Sequence, residues 1–223
     1  MFDHADFEEN GRAWIRKAVP PADLKRLADS FHLDGRAGDR PATDSSIARY
    51  FMATNPLTGI ATSLDLSPTP VRLATFDKTQ QTNWAVPWHQ DRVIAVSERH
   101  DLPGYVNWLR KDGYWHVEPP AELLEGMVFI RLHIDSADET NGSLQLALGS
   151  HKAGRVPSDE TASLAKACRI ESCRAEPGDV LIVKALTLHR SESSASSRQR
   201  RAVRIDFADR SALPPPLNWA LTP

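Results

Sequence analysis

The chain has few cysteines, no long apolar run and no recognisable leader, and each of these shortages argues against a class of protein. Cys168 and Cys173 are its only cysteines. Their spacing is not CxxC, so we expect reduced, buried thiols rather than a disulfide. No apolar run approaches a membrane span, and the opening "MFDHADFEENGRAW" lacks the basic and apolar regions of a signal peptide. We therefore expect a soluble, cytoplasmic protein.

The chain also lacks an excess of charge of one sign. Its 223 residues include 27 Lys and Arg against 29 Asp and Glu, a formal net charge of -2. Because there is no long basic run, neither nucleic acid nor an anionic membrane surface is predicted as a partner. No internal repeat or low-complexity linker divides the sequence, and its length suits one well-packed domain.

We expect that single domain to span residues 1–223, with mostly helical support in 1–66, a β-rich core in 67–210 and a C-terminal tail in 211–223. The segment "GRAWIRKAV" reads as a strand and "PPADLKRLADSFH" as a helix that starts at Pro21. From "PVRLATFDK" onward, short β-rich runs alternate with PG, NG, GS and PGD turns, and one further helix is predicted at "SDETASLAKAC". Without regular βαβ alternation, this order favours a mainly β fold, an antiparallel sandwich or barrel backed by helices.

Two of the predicted strands have one apolar and one polar face. Since successive strand side chains point to opposite faces, "GMVFIRLHID" places Val128, Ile130, Leu132 and Ile134 opposite Phe129, Arg131, His133 and Asp135. The same reading of "RRAVRIDFA" places Arg201, Val203, Ile205 and Phe207 opposite Arg200, Ala202, Arg204 and Asp206. The polar faces could meet water, or they could line a pocket inside a barrel whose apolar faces pack under helices. Composition does not choose between these.

Three residues form a candidate metal site. The stretch "VPWHQDRVIAV" sets His89 and Asp91 two apart, on one face if this is a strand, and His189 ends the strand of "GDVLIVKALTLHRSE". A lone HxD is more often a structural pair. Two histidines and one carboxylate are, however, the facial ligand set of non-haem Fe(II) oxygenases, although imidazole and carboxylate also suit Zn(II).

The segments "WHQD", "LHIDSADETNGSLQLALGSHKAGR" and "PGDVLIVKALTLHRS…RQRRAVRIDFA" together resemble the phytanoyl-CoA dioxygenase (PhyH) family of Fe(II)/2-oxoglutarate-dependent oxygenases. The resemblance runs from roughly Val71 to Phe207. It implies a double-stranded β-helix, a jelly-roll or cupin-like barrel, with His89, Asp91 and His189 as the iron ligands. It also implies that Arg200 binds the distal carboxylate of 2-oxoglutarate, a role that suits a planar guanidinium.

The implied reaction hydroxylates a C–H bond with O2 while 2-oxoglutarate becomes succinate and CO2. The alternatives are a cupin-like metal-dependent hydrolase or isomerase, and a barrel that only binds a ligand. Lys78 is a further candidate for cosubstrate binding. Candidate substrate contacts come from the polar strand faces and from the segment after the HxD: Arg131, His133, Arg204, Trp108 and His116.

The segment 101–120 contains Gly and Trp and reads as a long loop, which could be a mobile lid over the metal or a packed loop. The expected substrate is a small free metabolite, because no basic cluster suited to coenzyme A phosphates stands out. Its identity and the oligomeric state are left open.

Overall fold

Helices occupy the N-terminal part and two later connections of the chain, and strands make up most of the rest. The computed structural model describes residues 3–31, 35–41, 45–52, 57, 59–60, 68–111 and 113–221. The helices are α1 (His4–Asn10), α2 (Pro21–Asp29), α3 (Ser46–Met52), α4 (Ala121–Glu125) and α5 (Thr161–Ala167). Short 3₁₀ turns occur at Glu139–Asn141, Ser150–Ala153 and Arg210–Ala212.

The strands form three antiparallel sheets. They are β1 (Arg12–Ile15), β2 (Gly38–Asp39), β3 (Pro68–Lys78), β4 (Val86–His89), β5 (Ile94–Val96), β6 (Val106–Lys111), β7 (Tyr114–Glu118), β8 (Val128–His133), β9 (Leu144–Ala147), β10 (Ile170–Ser172), β11 (Val180–Lys184), β12 (His189–Ser191) and β13 (Arg200–Asp209). A six-stranded sheet has the order β1-β11-β8-β13-β3-β2, a four-stranded sheet β10-β9-β12-β4, and a small sheet β5-β7-β6. The mainly β, jelly-roll fold predicted from the sequence is confirmed.

The apolar strand faces of the six-stranded sheet pack under the helices. Val128, Ile130 and Leu132 of β8 join one buried cluster with Leu27 of α2 and Phe51 of α3. The same cluster takes the apolar face of β13 and the apolar stripe of α2. The polar faces of β8 and β13 therefore point inward, between the sheets, where they line a pocket instead of meeting water.

The predicted strand that ends at His189 is in fact two strands, and that expectation was wrong. β11 ends at Lys184, the chain turns with a bond from the Thr187 N–H to the Lys184 carbonyl (3.0 Å), and His189 begins β12 in the other sheet. The turn contains Leu186 and Leu188, which are both buried. Because the apolar pattern continues through it, no change in polarity marks the crossover.

The expectations for 86–91 and 101–120 also need correction. β4 ends at His89, so Asp91 lies just beyond the strand and not within it. Segment 101–120 is mostly a hairpin, since β6 pairs with β7 and β7 with β5. His116 therefore lies in a strand, where its exposed fraction is 2%. β-branched and aromatic residues outweigh the glycines of this segment, and both strands find partners.

The last residues of the described chain pack against the small sheet. Leu213, Leu217 and Trp219 are buried in a second cluster with Val96, and Trp219 forms a β-bridge with Val96. The segment called a tail from its sequence thus contributes to the core. Part of the expected helical support in 1–66, including residues 53–56, 58 and 61–66, lies outside the described residues, as does residue 67. None of the described helices is long and apolar enough to cross a membrane.

Candidate metal centre

Two antiparallel strands bring the histidines together. His89 ends β4, His189 begins β12, and their Cα atoms are direct partners in the ladder. The ring centroids lie 4.2 Å apart. Asp91 reaches the same point from the loop after β4, so that one ligand atom from each residue lies within 4.8 Å of the others. This is the cluster predicted from the sequence, assembled from a strand end, a strand start and a loop.

Backbone carbonyls hold both imidazoles in the tautomer that metal binding requires. The Nδ1 of His89 lies 2.9 Å from the carbonyl oxygen of Pro87, and the Nδ1 of His189 lies 2.9 Å from that of Thr187. A carbonyl only accepts, so each Nδ1 carries the proton and each Nε2 presents a lone pair. Burial and the neighbouring His189 lower the pKa of His89, which also favours the neutral ring. The donor set therefore fits a divalent metal ion.

Asp91 is held ionised by a chain of charged groups. Its Oδ2 lies 3.1 Å from His189 Nε2 and accepts a hydrogen bond from Arg204. Arg204 also donates to Asp206 (2.6 Å), which in turn accepts from Arg72 (2.5 Å). Burial alone would raise the pKa of Asp91, but neighbouring positive charges, Arg204 foremost and Arg72 as well, outweigh it and hold that pKa well below its usual range. The carboxylate is thus available as an anionic ligand at any ordinary pH.

Gln90, between the two motif residues, anchors the loop, and the sequence alone did not single it out. Its buried amide donates to the carbonyls of Gly154 (2.8 Å) and Leu186 (2.7 Å). Its oxygen accepts from the Val156 N–H at 2.9 Å. These bonds tie the residue before Asp91 to the turn that precedes His189. A polar residue between two metal-ligand types was the only signal available in the sequence.

A cavity of about 150 Å³ lies over the cluster, and the polar faces of β8 and β13 form part of its wall. Its lining includes Arg131, Arg200 and Arg204 with Phe129 and Trp84. Arg200 is 2% exposed, and its only side-chain hydrogen bond within the described chain is Nε to the Asn141 carbonyl, 3.2 Å. No carboxylate of the described residues forms an ion pair with it. Burial lowers the pKa of Arg200 to about 10, so it stays cationic at neutral pH.

Lys78 lies beside Arg200 but does not line this cavity. The two are Cα partners across β3 and β13, and Lys78 is fully buried. Its Nζ donates to the Glu192 carbonyl (2.6 Å) and stands 4.8 Å from the centre of the Trp84 ring. Gly142 is required here, because a Cβ would lie 2.3 Å from that carbonyl oxygen. Burial, then the charge of Arg200, lower the pKa of Lys78 to about 7.

The other predicted contact residues divide into two groups. Arg131 and Arg204 line the cavity, whereas His133 lies deeper, fully buried, with its ring 5.9 Å from that of Trp14. Trp108 and His116 lie in the small sheet, and neither lines this cavity. The structure therefore brings Arg131 and Arg204 to the metal cluster and places the other three elsewhere.

Comparison with known proteins agrees with this geometry. The sequence profile of the family described as phytanoyl-CoA dioxygenase (PhyH) matches residues 7–202. The chain belongs to the phytanoyl-CoA dioxygenase family. The match contains the whole His89, Asp91 and His189 cluster together with Arg200. A comparison with curated protein sequences gives no match.

Solved structures share the fold over most of the chain. AviO1 from Streptomyces viridochromogenes Tue57 superposes with a TM-score of 0.67 at 21% identity, covering 97% of this chain and 99% of that one. EctD from S. alaskensis, solved with 2-oxoglutarate and 5-hydroxyectoine, gives 0.68 at 13% identity, with 93% and 75% covered. The epimerase SnoN, solved with Fe3+, alpha ketoglutarate and nogalamycin RO, gives 0.68 at 12% identity, with 93% and 82% covered.

Proposed function

We propose that the protein is an Fe(II)- and 2-oxoglutarate-dependent dioxygenase that hydroxylates a C–H bond of a small molecule. The observation that carries this proposal is a pairing of two features in one cavity. One is a His-Asp-His cluster whose Nε2 atoms are available, and the other is a buried arginine that lacks a carboxylate partner in the described chain. Membership of the phytanoyl-CoA dioxygenase family and the iron and 2-oxoglutarate held by SnoN and EctD support the same reading.

His89, Asp91 and His189 would hold the iron, leaving its remaining positions for the cosubstrate and O2. When bound, Fe(II) would allow O2 to act as the oxidant, with 2-oxoglutarate supplying two electrons and leaving as succinate and CO2. The chain itself fixes the geometry. Backbone carbonyls orient both imidazoles, and Arg204 holds the Asp91 carboxylate through its Oδ2. A fixed ligand set keeps the reacting atoms aligned.

Arg200 would bind the distal carboxylate of 2-oxoglutarate. A guanidinium buried with a single backbone partner is costly, and a bound carboxylate offsets that cost through two parallel, charge-assisted hydrogen bonds. Lys78, the direct ladder partner of Arg200 on β3, adds positive potential at the same end without lining the cavity. Phe129 and Trp84 close the walls, which limits the water that reaches the site.

The proposal is tested by anaerobic titration of the purified protein with Fe(II) and then 2-oxoglutarate, following the weak visible charge-transfer absorption that chelation of iron by a 2-oxo acid produces. We expect stoichiometric development of the band in the wild type. His189→Ala should abolish it while the protein stays folded by circular dichroism. His100→Ala is the matched control, because His100 lies outside the cavity and pairs with Glu98. Iron binding of wild-type strength in His189→Ala would refute the assigned ligands.

A further inference from the structure

A second, larger cavity opens directly beside the metal cluster. It has a volume of about 460 Å³ and is bounded by β2, β3 and the tip of the β6–β7 hairpin. Phe76, Asp91 and Arg204 line both cavities, so the second one adjoins the space over the metal ligands at these three side chains. A molecule bound there would extend from the protein surface to Asp91. The volume suits a small molecule and not a macromolecule.

The lining of this second cavity is strongly cationic. Five cationic side chains face two carboxylates: Arg36, Arg40, Arg72, Lys111 and Arg204 stand against Asp39 and Asp91. One of the two carboxylates is a proposed iron ligand, and its charge is therefore committed to the metal. A net positive wall around a confined opening concentrates anions and orients them.

The cations differ in how far their charge is already matched. Arg72 and Arg204 both donate to Asp206, which does not line this cavity. Arg36 makes bonds of 3.1 and 3.3 Å to Asp39. Lys111 is exposed at the end of β6, and no carboxylate of the described chain lies within ion-pair distance of it. Lys111 therefore keeps a positive charge at the outer rim that no carboxylate of the described residues neutralises.

We propose that the substrate is a small organic anion whose carboxylate or phosphate group binds at this outer rim, near Lys111, Arg36 and Arg40. This inference rests on the proposed function, since it places the substrate's C–H bond at the Asp91 end of the cavity. The rim residues come from two separate parts of the chain, the β2 edge and the hairpin tip. Binding across them fixes the distance between the anionic group and the iron, so Lys111 and its neighbours determine specificity.

The test uses three matched fluorinated probes: 4-fluorophenyl phosphate, 4-fluorobenzoate and the neutral 4-fluorobenzyl alcohol. Each is titrated under anaerobic conditions into protein loaded with Fe(II) and saturating 2-oxoglutarate, and ¹⁹F line broadening by the paramagnetic iron reports binding near the metal. Saturating cosubstrate blocks Arg200, so that carboxylate binding there does not contribute. The charge-transfer band is recorded on the same samples.

We expect one or both anionic probes to bind at least about tenfold more tightly than the alcohol, and the stronger of the two identifies the anionic group. Lys111→Glu should weaken the anionic probes by about tenfold. Arg110→Glu carries the same charge change on the neighbouring residue, which lies against Trp115 and outside the cavity, and should have little effect.

Equal affinity for all three probes, equal loss in both variants, or no anion binding in samples that show the band would each overturn the anionic-substrate inference. Absence of the band itself would instead count against the proposed function. The two failures are therefore distinguishable in one experiment.

Discussion

Replacing Arg200 with methionine should weaken 2-oxoglutarate binding strongly while leaving the stability of the free protein almost unchanged. The guanidinium is buried and makes one backbone hydrogen bond, to Asn141. Losing that bond costs about 1 kcal/mol, and removing a buried charge without a carboxylate partner returns a similar amount. The bound cosubstrate, in contrast, loses a desolvated charge pair of about 2–4 kcal/mol, roughly a 30-fold to 1,000-fold weaker affinity.

The neighbouring Arg201 provides a matched control with the opposite outcome. It points to the other face of β13, where it binds Asp135 through two nitrogens (2.9 Å each) and donates to the Ala28 carbonyl of α2 (3.2 Å). Arg201→Met should therefore lower the free energy of unfolding by about 1–2 kcal/mol, since the pair is only partly exposed, and leave cosubstrate affinity unchanged.

Calorimetric titration of 2-oxoglutarate into the anaerobic Fe(II) protein measures the affinity, and urea unfolding of the metal-free protein measures stability. Two results would refute the reasoning. One is wild-type affinity in Arg200→Met. The other is impaired cosubstrate binding in Arg201→Met with normal stability, which would mean that the assigned faces of β13 are reversed.

Three further predictions concern other parts of the site. A bound dianion raises the pKa of Lys78 from about 7, so binding takes up a proton above that pH. The affinity for 2-oxoglutarate should then fall with rising pH, by at most about tenfold per unit, and Lys78→Met should remove that slope in titrations at stepped pH. Gln90→Leu removes the side-chain partner of three backbone groups, two of them in buried hydrogen bonds. Urea unfolding should show a loss of about 2–4 kcal/mol, and an unchanged midpoint would contradict the anchoring role. The amide hydrogens of segment 101–120 should exchange more slowly when iron, cosubstrate and an anionic probe bind. Unchanged exchange rates would argue against a lid.

Strand alternation predicted which side chains share a face, and it did so correctly wherever the strand bounds were right. The separation of Arg200 from Arg201 follows from a period of two residues, and the structure places them on opposite faces of β13. The sequence could not say that the polar face points inward. That depends on the helices covering the apolar face, which is a tertiary packing outcome.

Features built from distant strands were beyond sequence reasoning. Arg204 was predicted as a substrate contact, yet it binds Asp91 and Asp206, and its support by Arg72 through Asp206 requires the register between β13 and β3. The break before His189 was missed because buried leucines continue through the turn. The cationic rim combines residues 36–40 with Lys111 at the hairpin tip. No local sequence pattern indicates that these two parts of the chain lie close together.

Isotope labelling of succinate can show whether the cluster of His89, Asp91 and His189 couples O2 to the breakdown of 2-oxoglutarate. The Fe(II)-loaded protein is incubated with 2-oxoglutarate under ¹⁸O₂, and the succinate is analysed by mass spectrometry, with His189→Ala as the control. We predict iron-dependent succinate that carries one ¹⁸O atom in the wild type and none formed above background in the variant. Succinate without the label, or equal succinate from His189→Ala, would contradict the account.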